Sequence, residues 1–118
     1  MSVLVVCGDL IFTTKITGTA QALGLNAKVV PSGVAASGQA AVSKLIVDLN
    51  AVGTSREDLV RMRTEFPPPT TLIAFGSHVD VDRLRDARQA AFDRVMPRSE
   101  FSARLVEILN SSEEPISG

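Results

Sequence analysis

The chain has 118 residues, of which 45% are hydrophobic and 21% are charged, and its formal net charge is −1. This length and composition predict one globular domain with a single core and exclude a disordered chain. Because there is no excess of basic residues, nucleic acid is not an expected partner.

Several protein classes are excluded by what the sequence lacks. Cys7 is the only cysteine and the chain has one histidine, so neither an intramolecular disulfide nor a structural zinc site is expected. The amino-terminal residues lack the basic segment of a signal peptide, and no stretch approaches the roughly 18 apolar residues that span a membrane. We therefore expect a cytoplasmic protein with no membrane partner, with one domain over residues 1–110 and a flexible tail over residues 111–118.

Short apolar runs and helical patterns alternate from the beginning of the chain. The first run, at residues 3–6, predicts a buried strand, and the apolar spacing over residues 10–23 predicts a helix. A second strand is expected at residues 27–30. The Gly-, Ala- and Ser-rich segment 33–42, with Ala35, Ala36, Ala40, Ala41 and Val42, predicts a short helix with little side-chain bulk.

The third run is the strongest strand signal in the sequence. Residues 45–47 are apolar and lead directly into Asp48, with turn-forming residues beyond it, as in a central strand of a parallel sheet. Ser55 has the character of a helix N-cap followed by acidic residues, and three consecutive prolines at 67–69 end the helix that it begins.

The last third of the chain repeats the alternation. Residues 72–75 predict a fourth strand, a helix begins at Asp80 or Asp82, and residues 94–96 predict a fifth strand before a final helix. The inward positions predicted for the fourth helix are Val81, Leu84, Ala87 and Ala91. Those predicted for the final helix are Phe101, Leu105, Ile108 and Leu109.

Five strands alternating with helices predict parallel strands joined by right-handed crossovers, with helices on both faces of the sheet. The expected architecture is an α/β fold of the flavodoxin type, a doubly wound five-stranded sheet with strand order 2-1-3-4-5. Such sheets bind ligands at the carboxyl ends of their strands, although an aspartate there can also serve only to cap the following turn. The residues expected at that edge are Cys7, Gly8, Asp9, Asp48, Gly76, Ser77, His78 and Arg98.

This order of strand ends resembles the CheY-like receiver domain of bacterial response regulators in two-component systems, over the whole chain to about Asn110. In that family the first strand ends in paired acids and the third in an aspartate that accepts phosphate. The fourth strand ends in a threonine or serine that acts as a switch, and the fifth ends in a lysine. The resemblance implies that Asp48 occupies the phosphoacceptor position.

The other functional positions depart from the family pattern. Cys7 and Gly8 stand where the paired acids belong, and Asp9, one residue later, is the remnant of the acidic pocket. Gly76 occupies the switch position, with Ser77 one residue late, and Arg98 occupies the lysine position. Asp9 and Asp48 would be the ligands of any magnesium ion, but two carboxylates are a poor set for it, so no resident cofactor is expected.

We therefore expect a non-enzymatic pseudo-receiver, a signal-transduction module that acts by protein–protein contact without conventional magnesium-dependent phosphorylation. The resemblance implies that a protein partner, or a second copy in a homodimer, binds the face made by the fourth helix, fifth strand and fifth helix. One alternative is a phosphate-accepting response regulator that uses Asp48. Another is a small nucleotide- or flavin-binding module, although the first turn lacks the Gly-x-Gly-x-x-Gly pattern of dinucleotide sites.

Overall fold

The computed structural model describes residues 2–39 and 42–110, and its strands lie where the apolar runs predict them. They are β1 (Ser2–Val6), β2 (Asn26–Val30), β3 (Lys44–Asp48), β4 (Thr71–Gly76) and β5 (Arg94–Pro97). All neighbouring strands are parallel, in the order β2-β1-β3-β4-β5. The predicted sheet and its strand order are confirmed.

Helices connect the strands and cover both faces of the sheet. They are α1 (Leu10–Ala22), α2 (Gly33–Ala36), α3 (Arg56–Glu65), α4 (Val81–Gln89), α5 (Arg98–Ala103) and α6 (Leu105–Asn110). Ser55 begins α3 as predicted, with a reciprocal capping box in which Ser55 and Asp58 each accept a backbone N–H of the other. This cap and the prolines beyond the helix explain why its limits could be predicted from sequence.

Every residue of β3 is buried, because this strand lies in the middle of the sheet and is covered on both faces. Side chains of a strand alternate between faces, so Leu45 and Val47 pack in the core beneath α3 and α4. Ile46 packs in the other core, with side chains of α1, α5 and α6. The continuous apolar run in the sequence reflects this burial on both sides.

The helix predicted over residues 33–42 is mostly wrong. Among the described residues of this segment, helical structure is limited to α2, and Ser37 follows it with an extended backbone (ψ 137°). Gly38 then takes a positive φ of 80°, which turns the chain away from a helical path. Ala40 and Ala41 of this segment lie outside the described residues, as does the tail predicted at residues 111–118.

Two predictions for the later helices need correction. Leu84 and Ala87 of α4 are buried as expected, but Val81 and Ala91 are exposed. The helix ends at Gln89, and Ala91 has a left-handed backbone (φ 67°) that redirects the chain toward β5. The final helix is divided at Arg104 into α5 and α6, although its four predicted inward residues are all buried.

Lys44 is a buried cation that the sequence analysis did not single out. It begins β3, it is only 2% exposed, and its Nζ donates a hydrogen bond to the backbone carbonyl of Ile108 at 2.6 Å. Carbonyls in the last turn of a helix carry the negative end of the helix dipole, which favours a cation there. Lys44 therefore connects the amino end of the central strand to the end of α6.

Within the two described ranges, no helix combines the length and apolar character required to cross a membrane.

Two glycines allow the loops after β2 and β3 to come into direct contact. Gly33 N donates to the carbonyl of Val52 at 2.8 Å, and Ser32 forms a parallel bridge with the same residue. A Cβ on Gly33 would lie 1.8 Å from the carbonyl oxygen of Gly53, which itself has a positive φ of 78°. The loop that follows Asp48 is thereby held against the neighbouring loop.

We expect Gly33→Ala to destabilise the protein by about 2 kcal/mol or more, because the new methyl group collides with backbone that has no room to move. Gly18→Ala is the matched control. It lies in α1 with no atom within 4 Å of the added Cβ, so it should stabilise by about 0.5–1 kcal/mol. Urea unfolding measures both changes, and equal effects of the two substitutions would contradict the contact.

Candidate functional site

The parallel register brings the ends of β3, β4 and β5 together at one edge of the sheet. Asp48 pairs with Phe75, and Gly76 pairs with Pro97, so the residues that follow each strand lie side by side. Asp48 is the last residue of β3, while Arg98 is the first residue of α5. Of the edge residues predicted from sequence, Cys7 and Arg98 contact Asp48 directly, whereas Asp9 and His78 do not.

Asp48 is buried, with 1% of its surface exposed, and protein groups contact both of its carboxylate oxygens. Oδ1 accepts the backbone N–H of Asn50 at 2.9 Å and a guanidinium N–H of Arg98 at 3.4 Å. Oδ2 accepts the thiol of Cys7 at 3.5 Å. The sequence left open whether Asp48 serves only to cap the following turn. Its contact with Asn50 is such a cap, and it coexists with the ion pair to Arg98.

The Cys7 thiol is a hydrogen-bond donor in this arrangement rather than a nucleophile. Burial raises the pKa of the Cys7 thiol, and the negative charge of Asp48 raises it further. A raised pKa keeps the sulfur protonated near neutral pH, whereas nucleophilic cysteines need the thiolate. Cys7 therefore satisfies part of the hydrogen-bonding capacity of Asp48.

Asp9 is exposed and caps α1. Its Oδ1 accepts the backbone N–H groups of Ile11 at 2.9 Å and Phe12 at 3.1 Å. An aspartate in this position stabilises the first turn of a helix. Among residues 2–39 and 42–110, no group of three or more His, Cys, Asp or Glu side chains is placed to hold a metal ion.

Gly76 and Ser77 lie at the end of β4, beside Asp48. Gly76 is buried, and a Cβ there would lie 3.2 Å from the Leu49 side chain, so a larger residue would require Leu49 to shift. The hydroxyl of Ser77 accepts the backbone N–H of Val79 at 3.4 Å within its own turn. His78 is exposed at the rim of this loop.

Arg98 joins Asp48 to an aromatic cluster that the sequence analysis did not identify. Its guanidinium carbon lies 5.6 Å from the ring centroid of Phe12, a cation–π contact, and the Arg98 side chain is 33% exposed. The Phe12 ring packs against Phe75 and Phe101, whose rings stack with centroids 4.1 Å apart. No sequence motif predicts this grouping, because the three rings come from α1, β4 and α5.

Arg83 also contacts the loop after Asp48, which the sequence analysis did not predict. Its Nη2 donates to the carbonyl of Leu49 at 3.2 Å and also contacts the carbonyl and hydroxyl of Thr54. The same guanidinium pairs with Asp86 at 3.4 Å. Since Leu49 directly follows Asp48, Arg83 connects α4 to the loop at the candidate site.

No sequence-family model and no curated protein matches the chain by sequence. The fold is similar to the receiver domain of NtrX from Brucella abortus, with TM-score 0.76 and 14% identity over 97% of this chain and 99% of that one. The chain has the receiver-domain fold.

Two further receiver structures support this assignment of the fold. One is the receiver domain of a sensor histidine kinase from Pseudomonas aeruginosa, solved with magnesium in its active-site cleft. It has TM-score 0.74 and 18% identity over 92% of this chain and 93% of that one. The other, a response regulator from Thermotoga maritima, has TM-score 0.69 and 19% identity over 93% and 98% of the two chains.

The pair formed by Asp48 and Arg98 can be tested with a double-mutant cycle. Arg98→Met should destabilise by about 1–3 kcal/mol because it leaves a buried carboxylate with less compensation. Asp48→Asn removes that charge, so the double variant should recover about 1 kcal/mol, a modest value because the contact is long and partly exposed.

Urea unfolding measures the cycle, and a control cycle combines Asp48→Asn with Arg104→Met. Arg104 pairs with Glu100 and Glu107 instead of Asp48, so the control cycle should be additive. Additivity in both cycles would show that Asp48 and Arg98 do not interact energetically.

Proposed function

We propose that this chain is an atypical receiver-like signalling module that acts through protein–protein contact, without conventional magnesium-dependent phosphorylation and without enzymatic activity. The observation that carries the proposal is that Asp48 is buried and that both of its carboxylate oxygens accept hydrogen bonds from protein groups. The receiver-domain fold supplies the general context of signal transduction.

The engagement of Asp48 works against phosphoryl transfer. A carboxylate that accepts a phosphoryl group must present an oxygen lone pair in line with the donor. Here Oδ1 is held by Asn50 and Arg98, Oδ2 is held by the thiol of Cys7, and the residue is 1% exposed. A phosphodonor would have to displace these contacts before it could react.

The surroundings of Asp48 also offer little to a magnesium ion. Phosphoryl transfer needs the metal to neutralise charge on the phosphoryl oxygens, and magnesium prefers oxygen ligands. A thiol and a glycine occupy the positions of the family's paired acids, and Asp9 uses Oδ1 to cap α1. Asp9 and Asp48 remain the candidate metal ligands, and two carboxylates supply few ligands and little negative charge for a magnesium ion.

We further propose that the partner binds the face made by α4, β5 and α5. The outer surface of α4 carries charges of both signs, including Arg85, which is 57% exposed and pairs with Asp82 at 3.1 Å. Arg88 is also exposed on this helix. Complementary charge on such a surface favours selective association, and a second copy of the chain is the simplest partner to test.

We expect the protein to take up phosphate from acetyl phosphate and Mg²⁺ slowly or not at all, because Asp48 is buried and the metal ligands are few. Intact-mass spectrometry after incubation measures the phosphorylated fraction. Near-stoichiometric phosphate on Asp48 would contradict the proposal and favour the phosphate-accepting alternative.

Gly8→Asp tests whether Gly8 stands at one of the positions that the receiver family gives to its paired acids. The added Cβ would meet only the carbonyl oxygen of Pro31 at 3.5 Å, an ordinary contact, so the variant should fold. A second carboxylate near Asp48 should tighten Mg²⁺ binding in a titration followed by amide NMR. Gly18→Asp, on the open surface of α1, is the control, and an equal response of both variants would place the metal elsewhere.

If two copies associate through the proposed face, the double reversal Arg85→Glu with Arg88→Glu should weaken the dimer in sedimentation while the protein stays folded, with only a small fall in melting temperature from the lost pair with Asp82. Reversing Arg56 and Lys28, which are exposed on α3 and β2, changes the net charge equally and should leave the dimer intact. A wild-type chain that stays monomeric at about 0.1–1 mM would exclude self-association and leave a separate protein as the partner.

A further inference from the structure

A cleft beside Asp48 is not used by the proposed function. Its volume is about 380 Å³, and it lies between α1, the loop after β4 and the start of α5. The lining residues are Phe12, Ser77, His78, Arg98, Ser99 and Ser102. Small-molecule sites typically have volumes of about 300–1,000 Å³ and combine apolar walls with a few polar groups.

The polar groups of the cleft favour an anion. Arg98 supplies a permanent positive charge, His78 and three serines supply hydrogen-bond donors, and the described lining includes no carboxylate. The ammonium group of Lys15 contacts the Ser102 hydroxyl and adds a second positive charge beside the cleft. Guanidinium groups bind carboxylates and phosphates through paired N–H donors.

Arg98 has donors to spare for such a ligand. One of its N–H groups reaches Asp48 at 3.4 Å, a long contact for a charged hydrogen bond. Its Nε has no hydrogen-bond acceptor within the part of the chain that the structure describes. That Nε is itself buried, but a guanidinium carries five N–H donors and the Arg98 side chain is 33% exposed where it lines the cleft, so an anion there can reach its outer N–H groups.

The cleft is larger than an inorganic anion needs, and one of its walls is aromatic. Phe12 provides that wall, and the stacked pair Phe75 and Phe101 holds its ring in place. A ligand with a small apolar or aromatic body can cover this ring while its charged end contacts Arg98. An aromatic wall and a cation thus select an organic molecule over a bare ion.

We propose that the cleft binds the oxyanion group of a small organic molecule, a carboxylate or phosphate monoester, through Arg98 without forming a covalent bond. The inference rests on the proposed function, in which Asp48 stays unmodified, and it assigns an anionic effector to that same edge of the sheet. The ligand would use donors of Arg98 that Asp48 does not occupy, so binding would add a contact at the start of α5 without requiring the pair with Asp48 to break.

The test is a titration of the ¹⁵N-labelled protein in EDTA, with phenyl phosphate, benzoate and inorganic phosphate as probes and phenol as the uncharged control. We expect saturable amide shifts at residues 77–78 and 98–102, with dissociation constants of about 1 mM or lower for an organic anion. Phenol should bind at least about tenfold more weakly than its phosphate ester, since it lacks the charged contact with Arg98. Comparison of phenyl phosphate with benzoate identifies the preferred class of oxyanion.

Two pairs of variants make the result specific. Arg98→Met should weaken binding about tenfold or more, while Arg85→Met, which removes an exposed arginine outside the cleft lining, should not. Ser99→Asp places a carboxylate in the cleft and should also weaken binding, whereas Ser99→Asn keeps its polarity and should not. Ser99 is exposed and does not contact Asp48, so this second pair is informative even if Arg98→Met fails to fold.

The absence of saturable shifts at the cleft with both organic anions up to about 10 mM would overturn the inference. So would binding that Ser99→Asp leaves unchanged, or organic anions that bind no more tightly than inorganic phosphate. Because EDTA removes Mg²⁺ and no phosphoryl donor is present, these outcomes do not depend on whether Asp48 can be phosphorylated. The intact-mass experiment described above decides that question separately.

Discussion

A buried carboxylate at the end of the central strand is the constraint on which the candidate site depends. Because removing a charge from water is costly, Asp48 requires hydrogen bonds and a counter-charge from its surroundings. The backbone of Asn50, the thiol of Cys7 and the guanidinium of Arg98 supply them. Each of these groups comes from a different segment, so the charge of one side chain organises the loops after β1 and β3 and the beginning of α5.

The same carboxylate is the basis of our proposal that the site does not accept phosphate in the conventional way. A site for phosphoryl transfer needs an accessible oxygen and a strongly acidic metal-binding pocket. In this chain the oxygens of Asp48 face protein donors, while Asp9 caps α1. Arg98 is shared between the Asp48 carboxylate and the Phe12 ring, and its partly exposed side chain also lines the neighbouring cleft.

The order of the strands and helices could be predicted from the sequence because the local signals, apolar patterning and helix caps, agree with the burial that each element has in the fold. The apolar run before Asp48 indicated a strand covered on both faces, and Ser55 with Asp58 supplied a helix start that the structure retains. The helix predicted over residues 33–42 ends after Ala36 because Ser37 is extended and Gly38 has a positive φ, although the alanines of the segment favour a helix locally. Contact between the backbones of Gly33 and Gly53, from a distant loop, instead fixes where the short α2 packs.

For the candidate site, the sequence alone determined which residues lie at the carboxyl edge of the sheet, since parallel strands in the predicted order place their ends together. It also gave the expectation, from the resemblance to receivers, that Cys7 and Gly8 stand where that family has paired acids. Only the tertiary structure decided that both oxygens of the buried Asp48 accept hydrogen bonds, that Phe12 and Arg98 line a common cleft, and that Arg83 and Lys44 bind backbone carbonyls in distant segments. The physical reason is that these contacts depend on distances between side chains from separate elements, which strand order and hydrophobic periodicity do not specify.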